Sequence, residues 1–211
     1  RCSIVKAGIL GKKIGMTNIF LENGDSVGVT LLKAGPCVIV NKRTEVNDKY
    51  DAIQLGFEAI EEKKINKPQK GYFSKQKVKP FRFLREFKFQ NSETHDIGSE
   101  IKVDMFKEGE KVNIIGFSKG KGFAGSIKRH NFSGGPKTHG QKDYYRATGS
   151  IGATDAARVF KGKKLPGRMG NEKVKIKNIE IVKVDIDRNL ILLKGAIPGP
   201  NNSLVAVEKV S

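Results

Sequence analysis

Lys173–Leu193 reads KVKIKNIEIVKVDIDRNLILL, and its rhythm decides the fold. Val174 and Ile176 alternate with lysines, as residues do along a strand with one buried face. The phase slips near Asn178, and Val182, Val184 and Ile186 then resume the alternation. Such a slip predicts a β-bulge or a break between two strands. Asp187-Arg188-Asn189 supplies turn chemistry before the apolar run Leu190–Leu193, which predicts a hairpin. The same period of two recurs upstream, in Val27, Val29 and Leu31, in Ile53, Leu55 and Phe57, and in Val112 and Ile114. Phe81, Phe83, Phe87 and Phe89 share one face of a further strand, with Arg85 between the pairs. Many short strands and few helical patterns predict a mainly β protein built on a closed or nearly closed barrel.

Between the strand at Val112–Ile114 and the one at Val174–Ile176 lies a segment of different composition. Phe117–Gly170 carries twelve Lys or Arg, eleven glycines and two carboxylates, Asp143 and Asp155. It therefore holds +10 of the formal net charge of +18. Such a segment buries too little apolar surface to order itself, and its charges repel one another. It is expected to be a long, largely irregular excursion anchored in one sheet at both ends, ordered by a dense polyanion. A second, smaller α+β insertion is expected over 61–101, with a short helix over Gly71–Val78 ahead of the Phe-rich strand.

The 211 residues suit one domain with an insertion, or two small ones. No apolar run approaches a membrane span, and no membrane partner is expected. Cys2 and Cys37 are too few for a disulfide framework or a structural zinc site, so both are read as free thiols. The chain opens Arg-Cys-Ser without an apolar signal core, which argues against secretion; earlier removal of an organellar transit peptide stays open.

Gly120-Lys121-Gly122-Phe123-Ala124-Gly125 matches the G-x-G-x-x-G pattern of dinucleotide sites and makes a nucleotide-dependent enzyme the rival reading. No amphipathic crossover helix follows it, and no Val/Ile-rich strand precedes Asp143. The glycines serve better by letting backbone approach phosphates, with Lys119, Lys121, Lys128 and Arg129 supplying charge. His95, His130 and His139 are the imaginable ligands or bases, but no Cys or carboxylate is read at ligand spacing near His130 and His139, and no serine has a base partner in the sequence; no metal, cofactor, small-molecule substrate or catalysis is expected. DNA readers present a compact basic helix, which is not visible here. A glycine-rich arm with scattered cations and Phe132, Tyr144, Tyr145 and Phe160 suits irregular RNA.

Several stretches then carry a resemblance: Gly8–Thr17, Thr30–Pro36, Asn66–Pro68, Ser118–Phe123 through Lys128–Pro136, Gly149–Gly152, Val159–Lys164, Gly167–Gly170 and Leu193–Gly199. Nearly end to end, the chain resembles the family of ribosomal protein three of the large subunit, bacterial type. The resemblance implies a six-stranded Greek-key barrel of the translation-protein type, an inserted lobe, and an extension that penetrates the large subunit towards the peptidyl transferase centre. It implies binding to large-subunit rRNA, contact with neighbouring large-subunit ribosomal proteins, an early place in assembly, and a structural rather than catalytic role. The location implied is the ribosome, cytoplasmic or organellar. The expected organisation is 1–60 barrel, 61–101 inserted lobe, 102–116 barrel, 117–170 extension with its tip at Tyr145–Thr154, and 171–211 barrel. The rRNA-binding residues are expected to be Lys12, Lys13, Lys119, Lys121, Lys128, Arg129, His130, Asn131, Lys137, His139, Lys142, Arg146, Arg158, Lys161, Lys163, Lys164 and Arg168. Gly120, Gly122, Gly125, Gly134, Gly135, Gly149 and Gly152 are expected to allow close backbone approach. Two positions depart from the family pattern: Ala153 stands where many relatives have a Gln that some of them methylate, and Thr148 where many have Pro.

Overall fold

A computed structural model describes residues 5–89 and 96–210; Cys2 and His95, named above, lie outside the described residues. In chain order the strands are β1 (Val5–Lys6), β2 (Gly8–Phe20), β3 (Ser26–Ala34), β4 (Cys37–Arg43), β5 (Ala52–Ala59), β6 (Phe81–Lys88) and β7 (Glu100–Ile101). They continue with β8 (Lys111–Phe117), β9 (Phe123–Ala124), β10 (Gly167–Arg168), β11 (Lys173–Asp185), β12 (Leu190–Lys194) and β13 (Leu204–Lys209). Among the described residues the α-helices are α1 (Glu45–Asp48), α2 (Lys67–Gln76) and α3 (Ser126–His130), all short.

Six strands close a barrel in the order β11-β12-β3-β2-β13-β8. All its pairings are antiparallel. Strands β8, β11 and β12 form a meander, and β13 returns to lie beside β8, which is the Greek-key order 4-1-2-3. Closure removes the free sheet edges that would otherwise template aggregation. The basic segment leaves after Phe117 and returns at Lys173, and these two residues face each other across the β8–β11 ladder. Both ends of the excursion are thus held on one rung.

The slip near Asn178 is a bulge inside a single strand, not a break. The β8–β11 register shifts between Ile176 and Ile179, Asn178 adopts φ 57°, and its N–H donates to Asn113 Oδ1 at 3.1 Å. Asn tolerates the left-handed region because its short polar side chain bonds locally. Past the bulge the inward residues are Ile179 and Ile181. A second shift between Ile181 and Lys183 restores the earlier phase at Val184. The expected resumption at Val182 and Ile186 is corrected: Val182 is half-buried and Ile186 exposed, because two bulges invert the pleat twice. A similar shift between Lys13 and Gly15 places an extra residue, Ile14, in β2; on β3, Val29, Thr30, Leu32 and Ala34 are buried while Leu31 is half-buried. Thr30 turns inward at no polar cost, since its Oγ1 donates to Gly195 O at 2.6 Å.

A second sheet of order β1-β6-β5-β4-β7 stands beside the barrel. The expectation that 1–60 feeds only the barrel is corrected here. Strands β4 and β5 pair with each other and with β7 and β6, so the insertion between barrel strands begins directly after Ala34. Period two identifies Ile53, Leu55 and Phe57 as one face of a strand but is silent on which sheet that strand joins. One core cluster serves both sheets, with Ile9, Leu10, Leu32, Ile114, Ile181 and Leu193 from the barrel meeting Ile39, Ile53, Leu55 and Phe87. The expected helix over Gly71–Val78 starts earlier, at Lys67, with Pro68 in its first turn, where a missing N–H costs nothing. It ends at Lys77 in the left-handed conformation. Helix α2 packs through Phe73, whose ring meets Phe81 edge-on at 6.5 Å in a small cluster with Val40. Gly56 makes room for this: a Cβ there would lie 2.6 Å from the Phe81 ring.

Candidate nucleic-acid interface

Residues 118–172 form a compact unit of their own. Its base is a narrow antiparallel ladder. Ser118 N–H donates to Glu172 O at 2.9 Å, Asn171 N–H to Ser118 O at 3.2 Å, Lys121 N–H to Met169 O at 2.9 Å, and Met169 N–H to Gly122 O at 2.9 Å. Strands β9 and β10 extend it through Phe123↔Arg168 and Ala124↔Gly167. Gly170 is indispensable in this ladder, with φ 74° and room for no Cβ, which would fall 2.1 Å from Lys119 O.

Above the ladder sits α3, closed by Asn131 at φ 59°, whose N–H donates to Ile127 O. The side chains at its end turn inward to the returning chain. Arg129 Nη1 donates to Leu165 O at 2.9 Å, and His130 Nε2 lies 3.1 Å from the same oxygen. Ser126 Oγ and Thr148 Oγ1 are 2.6 Å apart. Gly135 N–H donates to Tyr145 O at 3.0 Å, drawing 131–135 against a 3-10 turn at Lys142–Arg146. The segment is largely irregular, as expected, with only short elements along it. A hydrogen-bonded framework exists although only Ala124 and Ser126 are buried in it. Backbone bonds, not a hydrophobic core, carry the local fold.

The G-x-G-x-x-G stretch now has a physical assignment. It spans β9, two residues long and antiparallel to β10, and leads into a five-residue helix. A dinucleotide fingerprint needs a buried parallel strand and a long helix whose N-terminus faces the pyrophosphate; neither is present. Among the described residues no group of three or more His, Cys, Asp or Glu could hold a metal ion, and no helix is long and apolar enough to cross a membrane.

Charge in this unit is almost wholly outward. Lys119, Lys121, Lys128, Lys137, Lys142, Arg146, Arg158, Lys161, Lys163, Lys164 and Arg168 are exposed, as is His139. Among the described residues none of these eleven Lys and Arg forms an ion pair with a carboxylate. Arg158 lies 5.7 Å from the centroid of the exposed Phe160 ring. Phe123 and Tyr144 are also strongly exposed, at 79 % and 74 %. Rings left in water among unpaired cations match the composition of surfaces that stack bases and neutralise phosphates.

Not every residue expected at the interface is exposed and free of partners within the chain. Lys13 is buried, and its ammonium donates to Ile197 O at 3.2 Å and lies 3.5 Å from Gly199 O. It ties the loop before β13 to the barrel rather than meeting a phosphate. Lys12 is half-exposed and paired with Glu58 at 3.4 Å. Arg129 and His130 are partly spent on Leu165, as above. The glycines divide likewise. Gly134 (φ 75°) and Gly135 accommodate the chain's own Tyr145 O and Gln141 amide, whereas Gly122, Gly125, Gly149 and Gly152 have open space where a Cβ would point. A Cβ at Gly120 would make ordinary contact with Asn171. Sequence reasoning missed Gln141 and Ser133, which border a cleft with Phe132 and Tyr144; an amide or hydroxyl in a polar loop gives no periodic signal.

A sequence model of the family described as Ribosomal protein L3 matches residues 83–187. The chain is 56 % identical over 202 residues to the large ribosomal subunit protein uL3 of Carboxydothermus hydrogenoformans, covering 96 % of each chain. It is 53 % identical over 204 residues to that of Pelotomaculum thermopropionicum, covering 97 % of each. For that of Geobacillus kaustophilus the identity is 55 % over 201 residues, with 95 % of this chain and 94 % of the relative covered. Similarity at this level along nearly the whole length leaves no room for another grouping: the chain belongs to the ribosomal protein L3 family.

Proposed function

We propose that this chain is a structural constituent of the large ribosomal subunit that binds large-subunit rRNA mainly through residues 118–172. It acts by electrostatics and shape. The barrel and second sheet give a stable body, and the basic unit neutralises phosphates where rRNA segments crowd together. Holding those segments in place assists early assembly and supports the peptidyl transferase region without chemistry of its own. Contacts with neighbouring ribosomal proteins belong to the same reading, as does a place in the ribosome of the cytoplasm.

One observation carries it: eleven exposed Lys and Arg without carboxylate partners among the described residues, on a framework tied by its own backbone. Counterion release makes each phosphate contact worth about 0.7 to 0.9 in the slope of log K against log salt. Ten contacts give a slope of about −7 to −9. Titrating the purified chain onto large-subunit rRNA between about 50 and 200 mM salt measures that slope directly. A flat dependence, or equal affinity for duplex DNA of matched length, overturns the proposal.

A further inference from the structure

Within the basic unit, residues 131–135 and 141–149 wall a cleft of about 540 Å³. Its lining includes Phe132, Tyr144, Asn131, Gln141, Ser133 and Thr148, the last with its hydroxyl 2.6 Å from Ser126 Oγ. No lining residue is charged, although exposed Lys137, Lys142 and Arg146 lie in the same turns. We infer that this cleft receives a single unpaired RNA base, stacked on Tyr144 and bonded at its edge by Asn131 and Gln141.

The chemistry selects a base over the alternatives. A phosphate or an acidic peptide calls for a cation in the lining, and there is none. An aliphatic side chain leaves the two amides unsatisfied, and unpaired buried amides are costly. A base offers an aromatic face for the ring and donors and acceptors on its edge for the amides. Neither amide side chain hydrogen-bonds within the protein among the described residues. The volume lies in the range of clefts that hold small ligands.

The walls are built to stay open. Gly135 N–H donates to Tyr145 O at 3.0 Å, Tyr144 N–H to Gln141 O at 3.0 Å, and Ala147 N–H to Tyr144 O at 3.0 Å. A Cβ on Gly134 would fall 2.4 Å from Tyr145 O, so that backbone approach requires glycine. A Cβ on Gly135 would fall 2.6 Å from Gln141 Nε2, so that glycine leaves room for the amide. The mobile end of Gln141 yields to such a methyl, whereas the Tyr145 carbonyl does not. Gly135→Ala therefore displaces the amide while sparing the fold.

This inference rests on the rRNA-binding reading, and the test separates the two. The full chain is bound to large-subunit rRNA at saturation. Base edges are probed with dimethyl sulfate and carbodiimide, and the backbone with hydroxyl radicals. Wild type is expected to protect one single-stranded base, and Tyr144→Ala, Gln141→Ala and Gly135→Ala to restore its reactivity within an unchanged backbone footprint. Tyr144→Phe, which keeps the ring, retains the protection. Loss of stacking in Tyr144→Ala weakens binding about 5- to 150-fold. The triple variant Lys161→Gln, Lys163→Gln, Lys164→Gln weakens binding yet leaves that base protected once saturated. If wild type leaves no backbone footprint, the proposed function itself fails. A backbone footprint with no protected base, or with protection indifferent to Gln141 and Gly135, overturns the base site alone.

Discussion

Replacing Gly170 by alanine tests whether residues 118–172 hold themselves together through their ladder. At φ 74° an L-residue pays about 1–2 kcal/mol for the left-handed conformation. The added Cβ also starts 2.1 Å from Lys119 O, a backbone atom, so the two strands must part. That strains the flanking bonds Lys121 N–H to Met169 O and Asn171 N–H to Ser118 O. Losing one to two such bonds adds roughly 1–2 kcal/mol. The total, about 2–4 kcal/mol, corresponds to amide exchange faster by roughly 30- to 1,000-fold at Lys121, Met169 and Asn171. Native-state hydrogen exchange on the RNA-free chain reads this residue by residue. Amides of β2 and β13 should be unchanged, because the barrel ladder between them does not include Gly170. Gly149→Ala is the control: its φ is 80° but nothing stands near its Cβ, so only the torsional cost applies. Unaltered exchange at the three ladder amides, or equal acceleration in the barrel, refutes the reasoning.

Three further outcomes follow from the same geometry. Leu193→Ala removes a fully buried side chain from the shared core and should destabilise the body by about 2–5 kcal/mol in denaturant unfolding. Lys13→Met leaves the carbonyls of Ile197 and Gly199 without their donor, costing about 1–3 kcal/mol, yet should not change the salt slope of rRNA binding. A reduced slope would return Lys13 to the interface. Burial pushes the Cys37 thiol up to about 12 from 9.0, only partly opposed by a hydrogen bond with the Leu10 backbone. Iodoacetamide at pH 8 should therefore not label Cys37 in the folded chain, and rapid labelling there contradicts the packing. Because the folded pKa is raised, the neutral thiol's contribution is fully present below about pH 9. It is lost as pH climbs from there to about 12.

Strand-forming stretches and the uneven charge were legible in the sequence because both are local. Alternation marks a pleated face, and twelve cations against two carboxylates repel any reading as a packed core. The bulge at Asn178 announced itself as a phase slip for the same reason. The cleft beside Tyr144 did not, since its walls are brought together by Gly135 and Tyr145, ten positions apart, without a repeating pattern.

Assignment of each strand to a sheet was settled only in three dimensions. Ile53–Phe57 and Val112–Ile114 share one alternation, yet one joins the second sheet and the other the barrel, because pairing partners are chosen by non-local packing. The division of labour among cations was decided the same way. Lys12 and Lys13 are adjacent in sequence, but Lys12 reaches Glu58 at the half-exposed surface while Lys13 is buried against loop carbonyls. Arg129 turns to Leu165 while Lys128 beside it stays in solvent. Composition therefore determined a surplus of positive charge suited to a polyanion, since charge is a property of the chain itself. Which charges are available to meet one depends on where backbone carbonyls and carboxylates come to rest, and only folding brings those groups near.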